Sequence, residues 1–222
     1  MLEIKSLGYW YQTPDESLFS DVNLKFEAGK TYAIIGASGA GKTTFLSLLA
    51  GLDQPKTGEI LLDGQALTKI GLTAYRRHQV TTVFQSYNLL PYMSPINNLL
   101  TALAITESQH KGDTAYAKQQ LHQLGLTEDQ MKQNVQHLSG GQQQRVAIAR
   151  SMCCDAQLVV ADEPTGNLDE ANTAAIIELF QKIAHEQHKC VIIVTHETDV
   201  AAACDQTLKL SKGEFKWVSQ PA

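Results

Sequence analysis

The segment Gly36 to Thr43 reads GASGAGKT, and no other stretch limits the choice of fold as much. Before it stands Thr31-Tyr-Ala-Ile-Ile35, a short apolar run with β-branched residues at its end. After it, about Lys42 to Ala50 carries Phe45, Leu46, Leu48 and Leu49 as the apolar positions of a helix. Strand, glycine-rich loop and helix in this order, with the spacing G-x-x-x-x-G-K-T, make a phosphate-binding unit. Gly36, Gly39 and Gly41 let the backbone turn tightly and bring its N–H groups close to an anion. The helix start adds roughly half a positive charge. Lys42 adds a full charge for the β- and γ-phosphates, and Thr43 offers a hydroxyl to Mg²⁺. The loop by itself specifies a nucleoside triphosphate but neither its base nor its use.

The rest of the chain alternates strands and helices, which predicts an α/β fold with a mostly parallel sheet. Strands are expected at Leu2 to Leu7 and Val22 to Glu27, so the N-terminal third is β-rich with antiparallel character. Glu59 to Leu62 followed by Asp63-Gly64 reads as a hairpin. A helix over Leu72 to Gln79 leads to a strand from Val80 to Phe84, which ends at Gln85. From about Asn88 to Leu138 strand signals vanish. Helices are expected at Pro95 to Ile105, Thr114 to Leu124 and Glu128 to Lys132, an insertion rather than a second domain. A helix over Gly140 to Met152 precedes a strand at Leu158 to Ala161, a helix at Ala171 to Glu186 and a strand at Cys190 to Val194. A short helix from Asp199 to Cys204 and a hairpin from Thr207 to Val218 through Lys212-Gly213 follow. At 222 residues this is one sizeable domain with a subdomain.

Several classes of function are disfavoured. The formal charge is −5, and Arg76-Arg77-His78 is the one dense basic spot, which speaks against a nucleic-acid partner. No window approaches the roughly 20 apolar residues that span a bilayer. MLEIKSLGYW lacks the basic start and apolar centre of a signal peptide, so a cytosolic location is expected. Cys153, Cys154, Cys190 and Cys204 form no C-x-x-C pair or zinc-type cluster and are expected as buried thiols.

Three polar groups fall at strand ends, where parallel α/β sheets bind ligands: Gln85, Asp162-Glu163 and His196. Leu158 to Ala161 buries the strand of LVVADE and leaves its two carboxylates at the end. Asp162 is placed to hold Mg²⁺, through water, and Glu163 to act as general base for a hydrolytic water. The Gln85 amide both donates and accepts, so it suits both Mg²⁺ and the attacking water. His196 is expected to donate to the γ-phosphate. Leu138-Ser139-Gly140-Gly141-Gln142 is a second anion site, with a serine hydroxyl and glycine N–H groups at a helix start. One triphosphate does not need two loops of one chain, which points to a nucleotide held by another subunit.

GASGAGKT, LSGGQ, LVVADE and the strand-end histidine, in this order, resemble the ATP-binding subunit of an ABC transporter across essentially the whole chain. The resemblance implies a P-loop NTPase fold: a RecA-like core, an antiparallel β subdomain and a helical subdomain carrying LSGGQ. It assigns about residues 88–152 to the helical subdomain, and 1–87 with 153–222 to the core and β subdomain. It further implies a head-to-tail dimer with two ATP molecules between phosphate loop and LSGGQ. Gly36, Ser38, Gly39, Ala40, Gly41, Lys42, Thr43 and Thr44 would then hold the phosphates. Ser139, Gly140, Gly141 and Gln142 would close on the partner's nucleotide, and Tyr11 would stack on adenine, with Tyr9 and Trp10 close by. Gln85 would be the Q-loop residue, His196 the switch histidine, and Asn167-Leu168-Asp169 the D-loop that crosses to the second copy. The metal set would be Thr43, Gln85 and Asp162.

DEPTGNLD (Asp162 to Asp169) and FQSYNLLP (Phe84 to Pro91) resemble the class containing lipoprotein-release, macrolide-efflux, antimicrobial-peptide-resistance and cell-division ATPases. That class works with separate integral membrane permease subunits, which implies a peripheral place on the cytoplasmic side of the membrane. Tyr87 to Leu100, with Leu89, Leu90, Tyr92 and Met93, would receive the permease. Asn97-Asn98 departs from the Glu-Asn usual there. The implied function is ATP hydrolysis that powers export or extraction of a peptide, lipid or drug. A mechanical signalling ATPase of the cell-division type is the alternative. A soluble ABC ATPase of DNA repair or translation would need fused cassettes, zinc modules or coiled coils, and a P-loop kinase has no use for LSGGQ.

Overall fold

A computed structural model describes residues 1–166 and 168–218. In chain order, β1 (Leu2–Trp10), β2 (Ser17–Phe26) and β3 (Thr31–Ile35) lead through the glycine-rich loop to α1 (Lys42–Leu49). Then come β4 (Thr57–Leu62), β5 (Gln65–Ala66), α2 (Leu67–Ile70), α3 (Leu72–His78) and β6 (Val80–Phe84). The helical stretch contains α4 (Pro95–Ile105), α5 (Thr114–Gln123), α6 (Glu128–Lys132) and α7 (Gly140–Met152). It gives way to β7 (Leu158–Asp162), α8 (Glu170–His185), β8 (Cys190–Val194), α9 (Thr198–Ala202), β9 (Gln206–Ser211) and β10 (Glu214–Val218).

Two sheets result. The antiparallel one has the order β2-β1-β4-β5, and the larger one β10-β9-β3-β8-β7-β6, parallel except at its β9–β10 edge. Both expected hairpin turns form: Asp63-Gly64 and Lys212-Gly213 have φ of 48°, 79°, 52° and 79°. Positive φ at both central residues matches the twist of the flanking strands. β1 and β2 are longer than alternation suggests. Ser6 and Asp21 have φ of 45° and 51°, and the β1–β2 register shifts between Ile4 and Leu7 and again toward Trp10. Such bulges break the two-residue period on which the sequence reading relied, while pairing continues past them. The four-residue α2 also escaped the sequence reading, being too short to display a helical period.

α1 lies in the core. Phe45, Leu46, Leu48 and Leu49 are all buried, in one cluster with Leu2, Phe19 and Phe26 of the antiparallel sheet and Ile34, Val160 and Ile192 of the parallel one. Phe45 meets Phe215 at 4.5 Å and Phe19 at 5.9 Å between ring centroids. Such pairs contribute about 0.5–1.5 kcal/mol beyond their area. The other face of the parallel sheet packs on α8 and α9 through Ile176, Phe180, Ile183 and Val200. α4 to α7 have a separate cluster that includes Leu99, Leu103, Leu121, Met131 and Val146. α7 belongs to both sides: Val146 and Ala149 pack in the helical cluster, and Ile148 packs beneath the sheet. All four cysteines are buried, and burial pushes the Cys153, Cys190 and Cys204 thiols up to about 12. Among the described residues, no helix is long and apolar enough to cross a membrane.

Candidate active site

Register builds the site. Ile34, Val194, Asp162 and Phe84 stand side by side across β3, β8, β7 and β6. One row of strand ends therefore releases the glycine-rich loop, His196, Glu163 and Gln85 on the same edge. The loop begins tightly against its neighbour: a Cβ on Gly36 would lie 2.4 Å from the Leu210 carbonyl oxygen of β9. Lys42 is buried, and its ammonium donates to the Gly36 and Ala37 carbonyls at 2.8 and 3.0 Å, while the Ala40 N–H donates to Ala37 at 3.2 Å. The lysine is thus folded back over its own loop, with its charge at the start of α1.

Around this loop lies a cleft of about 640 Å³. Ser38, Gly39, Gly41, Lys42, Thr43 and Thr44 line one side, Glu163 and His196 another, and Tyr11 and Leu18 a third. Thr43 donates to Asp162 Oδ1 at 3.4 Å. Burial raises the Asp162 carboxyl above its usual range, against the lowering effect of Thr43. A hydroxyl and a carboxylate side by side are hard oxygen donors of the kind Mg²⁺ takes beside phosphates.

Glu163 accepts from His196 Nδ1 at 3.1 Å, and its backbone N–H donates to Val194 at 2.9 Å. Its φ is 44°. A left-handed glutamate costs on the order of 1–3 kcal/mol and persists only where the surroundings impose it. A neutral imidazole that donates from Nδ1 has an acceptor at Nε2, so donation from Nε2 to an anion requires the imidazolium. Gln85 is exposed, and its amide nitrogen lies beside Gly166, where an added Cβ would stand 3.1 Å from it and 3.7 Å from Glu163 Oε2.

Tyr9, Trp10 and Tyr11 differ in exposure: Trp10 is half-buried, and of the three Tyr11 lines the cleft. Tyr11 is 65% exposed and bonds through its hydroxyl to Thr44 Oγ1. Tyr9 is 4% exposed, packs edge-on to Tyr11 at 5.3 Å and donates to Asp53 at 2.5 Å, which raises its phenol to about 12. Strand burial therefore removes Tyr9 from contact with a ligand and leaves Tyr11 as the open face.

Ser139 to Gln142 do not line this cleft. They start α7 as a capping box: Ser139 Oγ accepts from the Gln142 N–H at 3.3 Å, and Gln142 Oε1 accepts from the Ser139 N–H at 2.9 Å. Asp169 likewise caps α8, accepting the Asn172 N–H at 2.8 Å. Asn167 lies outside the described residues. Leu90, Tyr92 and Met93 are exposed, with Tyr92 at 87%, whereas Leu89 packs against the helical cluster. A groove of about 460 Å³ beside them is lined by Met93, Asn97, Leu100 and Ile105.

Further residues support the site. Arg150 of α7 donates to the Tyr87 and Asn88 carbonyls at 3.0 and 2.6 Å, in the turn after Gln85 where both residues have positive φ. Thr165 donates to Glu197 at 2.6 Å and so joins the turns after β7 and β8. A cation directly after the apolar run Val146 to Ala149 is the sequence signal for Arg150. Thr165 stands within DEPTGNLD, while Glu197 belongs to no motif.

The family model described as ABC transporter matches residues 19–166. The uncharacterized ABC transporter ATP-binding protein YclH of Bacillus subtilis is 53% identical over 215 residues, covering 97% of this chain and 95% of its own. The lipoprotein-releasing system ATP-binding protein LolD of Chromohalobacter salexigens is 37% identical over 220 residues, covering 97% and 92%. A solved dimer of the ATP-binding cassette MJ0796, in a post-hydrolysis state bound to ADP and Pi, superposes with a TM-score of 0.87 at 31% identity, over 99% of each chain.

Proposed function

The chain belongs to the ABC transporter family as an ATP-binding, ATP-hydrolysing subunit, and on that premise we propose how its residues divide the work. The whole chain is one ABC domain, with about residues 88–152 as its helical subdomain. Glu163 takes a proton from the water that attacks the γ-phosphate, and His196 holds that carboxylate in place. Lys42 leaves the Gly36 and Ala37 carbonyls for the β- and γ-phosphates. Backbone N–H groups of residues 36–44 surround the remaining oxygens, and Tyr11 stacks on adenine. Mg²⁺ would be held by Thr43, Asp162 and Gln85, and would there neutralise phosphate charge. Most of the rate gain comes from positioning and electrostatics.

The second half of the site comes from another copy. Ser139 to Gln142 lie outside the cleft of their own chain, which supports a head-to-tail pair in which each copy's α7 start and Asp169 turn meet the other's nucleotide. ATP binding closes the pair and hydrolysis lets it separate. The exposed Leu90, Tyr92 and Met93 suit a permease subunit, which would keep the chain at the cytoplasmic side of a membrane. Similarity to a lipoprotein-releasing ATP-binding protein supports export or extraction of a lipid, peptide or drug.

The observation that carries this reading is Glu163, paired with His196 and facing Lys42 and Thr43 across one cleft. Glu163→Gln should bind ATP, stop turning over and accumulate as a dimer on a sizing column. Hydrolysis at the wild-type rate would remove Glu163 as the base.

A further inference from the structure

Asn172 connects the two segments that the dimer reading sends to the other copy. It is the third residue of α8 and is partly buried. Its side-chain nitrogen donates to both carboxylate oxygens of Asp169, each at 2.9 Å. Its side-chain oxygen accepts from Arg145 Nη2 of α7 at 2.6 Å. The same amide lies against the start of α7, since a Cβ on Gly141 would stand 3.2 Å from Asn172 Cγ.

Neither helix needs this link in order to form. α8 is already capped by Asp169 through the backbone N–H of Asn172, and α7 by the Ser139–Gln142 box. The side chain must donate toward a carboxylate and accept from a guanidinium, which a planar amide does and a carboxylate or an alkyl group does not. All three bonds involve a charged partner, the stronger class of hydrogen bond. The Asn172 backbone N–H first, and its side-chain amide second, hold the Asp169 carboxyl below its usual range.

We propose that Asn172 is a positioning residue. It fixes the Asp169 turn and the Ser139–Gln142 helix start in one relation, so that both meet the second copy as a single preformed surface. The inference rests on the sandwich-dimer reading. Without the bridge each segment orders separately during association, and that ordering weakens the dimer. A hydrogen bond to a charged group carries on the order of a tenfold effect on an equilibrium constant, and the symmetric pair contains two such bridges.

The test uses the full chain with Glu163→Gln as parent, and adds Asn172→Ala or the isosteric Asn172→Asp. Three quantities are read: the ATP concentration for half-dimerisation, ATP-analogue affinity at a protein concentration too low to dimerise, and the thermal midpoint. Both variants should need at least about tenfold more ATP to dimerise, with monomer affinity within about twofold of the parent. Asn172→Asp keeps an acceptor for Arg145 but offers no N–H to Asp169, so it carries the same test if the alanine variant folds poorly. Dimerisation at the parent's ATP concentration would overturn the proposal and leave the sandwich reading standing. A proportional loss of monomer affinity would overturn it too, by placing Asn172's effect in the cleft. A parent that never dimerises with ATP would remove the sandwich reading and the proposal together.

Discussion

Replacing Ser139 by Asp separates the folding role of this residue from its proposed contact with a phosphate. In the monomer, Ser139 Oγ caps α7 by accepting the Gln142 N–H at 3.3 Å. Ser139→Ala deletes that acceptor and should cost about 1 kcal/mol of stability. For a chain of this length, that is a drop of about 2–4 °C in thermal midpoint. Asp caps as well as Ser and favours the helix N-terminus electrostatically, so Ser139→Asp should melt within about 2 °C of wild type. In the dimer the two substitutions should rank the other way. Losing a hydroxyl bond to a charged phosphate costs about 1.5–3 kcal/mol per site. A carboxylate 4 Å from a phosphate charge adds repulsion of about 4 kcal/mol at an effective dielectric of 20, before salt screening. With two sites per dimer, even the alanine change weakens association by about 10²–10⁴. Melting without nucleotide, and ATP-dependent sizing in the Glu163→Gln background, read the two effects separately. Ser139→Asp should be stable and fail to dimerise. If it dimerised at the parent's ATP concentration, no phosphate would lie at this helix start.

Other expectations follow from the same geometry. Tyr11→Ala should weaken ATP binding by about 1–3 kcal/mol in equilibrium titration, and an unchanged Kd would move adenine off this ring. Arg150→Ala should release the Tyr87 and Asn88 carbonyls and lower kcat at saturating ATP more than it raises KM. Equal activity would show that the turn after Gln85 holds without the guanidinium. Asp205 supplies the pH dependence. Burial alone would raise its carboxyl, but the Thr31 N–H at 2.7 Å, His185 at 2.9 Å and the Thr31 hydroxyl at 2.9 Å outweigh burial and hold it below the usual range. A depressed carboxyl stabilises the fold fully above the unfolded value of about 3.9 and ceases to do so as pH falls through the folded value. Urea midpoints should therefore fall more steeply below about pH 4 for wild type than for Asp205→Asn. Parallel curves would discount the carboxylate.

What could be read from the sequence was whatever a local pattern records. β6, α4 and α7 have the expected bounds residue for residue, because a short β-branched run or a cap followed by an apolar stripe is self-contained. β1 and β2 outran their expected ends because positive φ at Ser6 and Asp21 moves side chains out of phase without ending the ladder. The same division holds at the site. Lys42, Asp162, Glu163 and Ser139 each stand in a short motif whose spacing carries its own chemistry. Arg145 with Asn172, Arg150 with Tyr87 and Asn88, and Thr165 with Glu197 meet across 27 to 63 residues of chain. No window short enough to show a period contains both partners.

The row of strand ends also constrains how the molecule is made. Residue 34 lies beside 194, and 84 beside 162, so the edge that carries the chemistry consists of distant pairings. By contrast, β1, β2, β4 and β5 pair within the first 66 residues, and α4 to α7 share a local core. Pairings that close long loops form late, because the chain entropy is lost before the contacts reward it. On a ribosome, the antiparallel sheet and the helical segment can therefore form while the chain is still emerging. The phosphate loop gains the neighbour that fixes its strand only after β8 has been synthesised. A nascent chain would reach nucleotide competence near the end of translation, as a sign that the parallel sheet has closed.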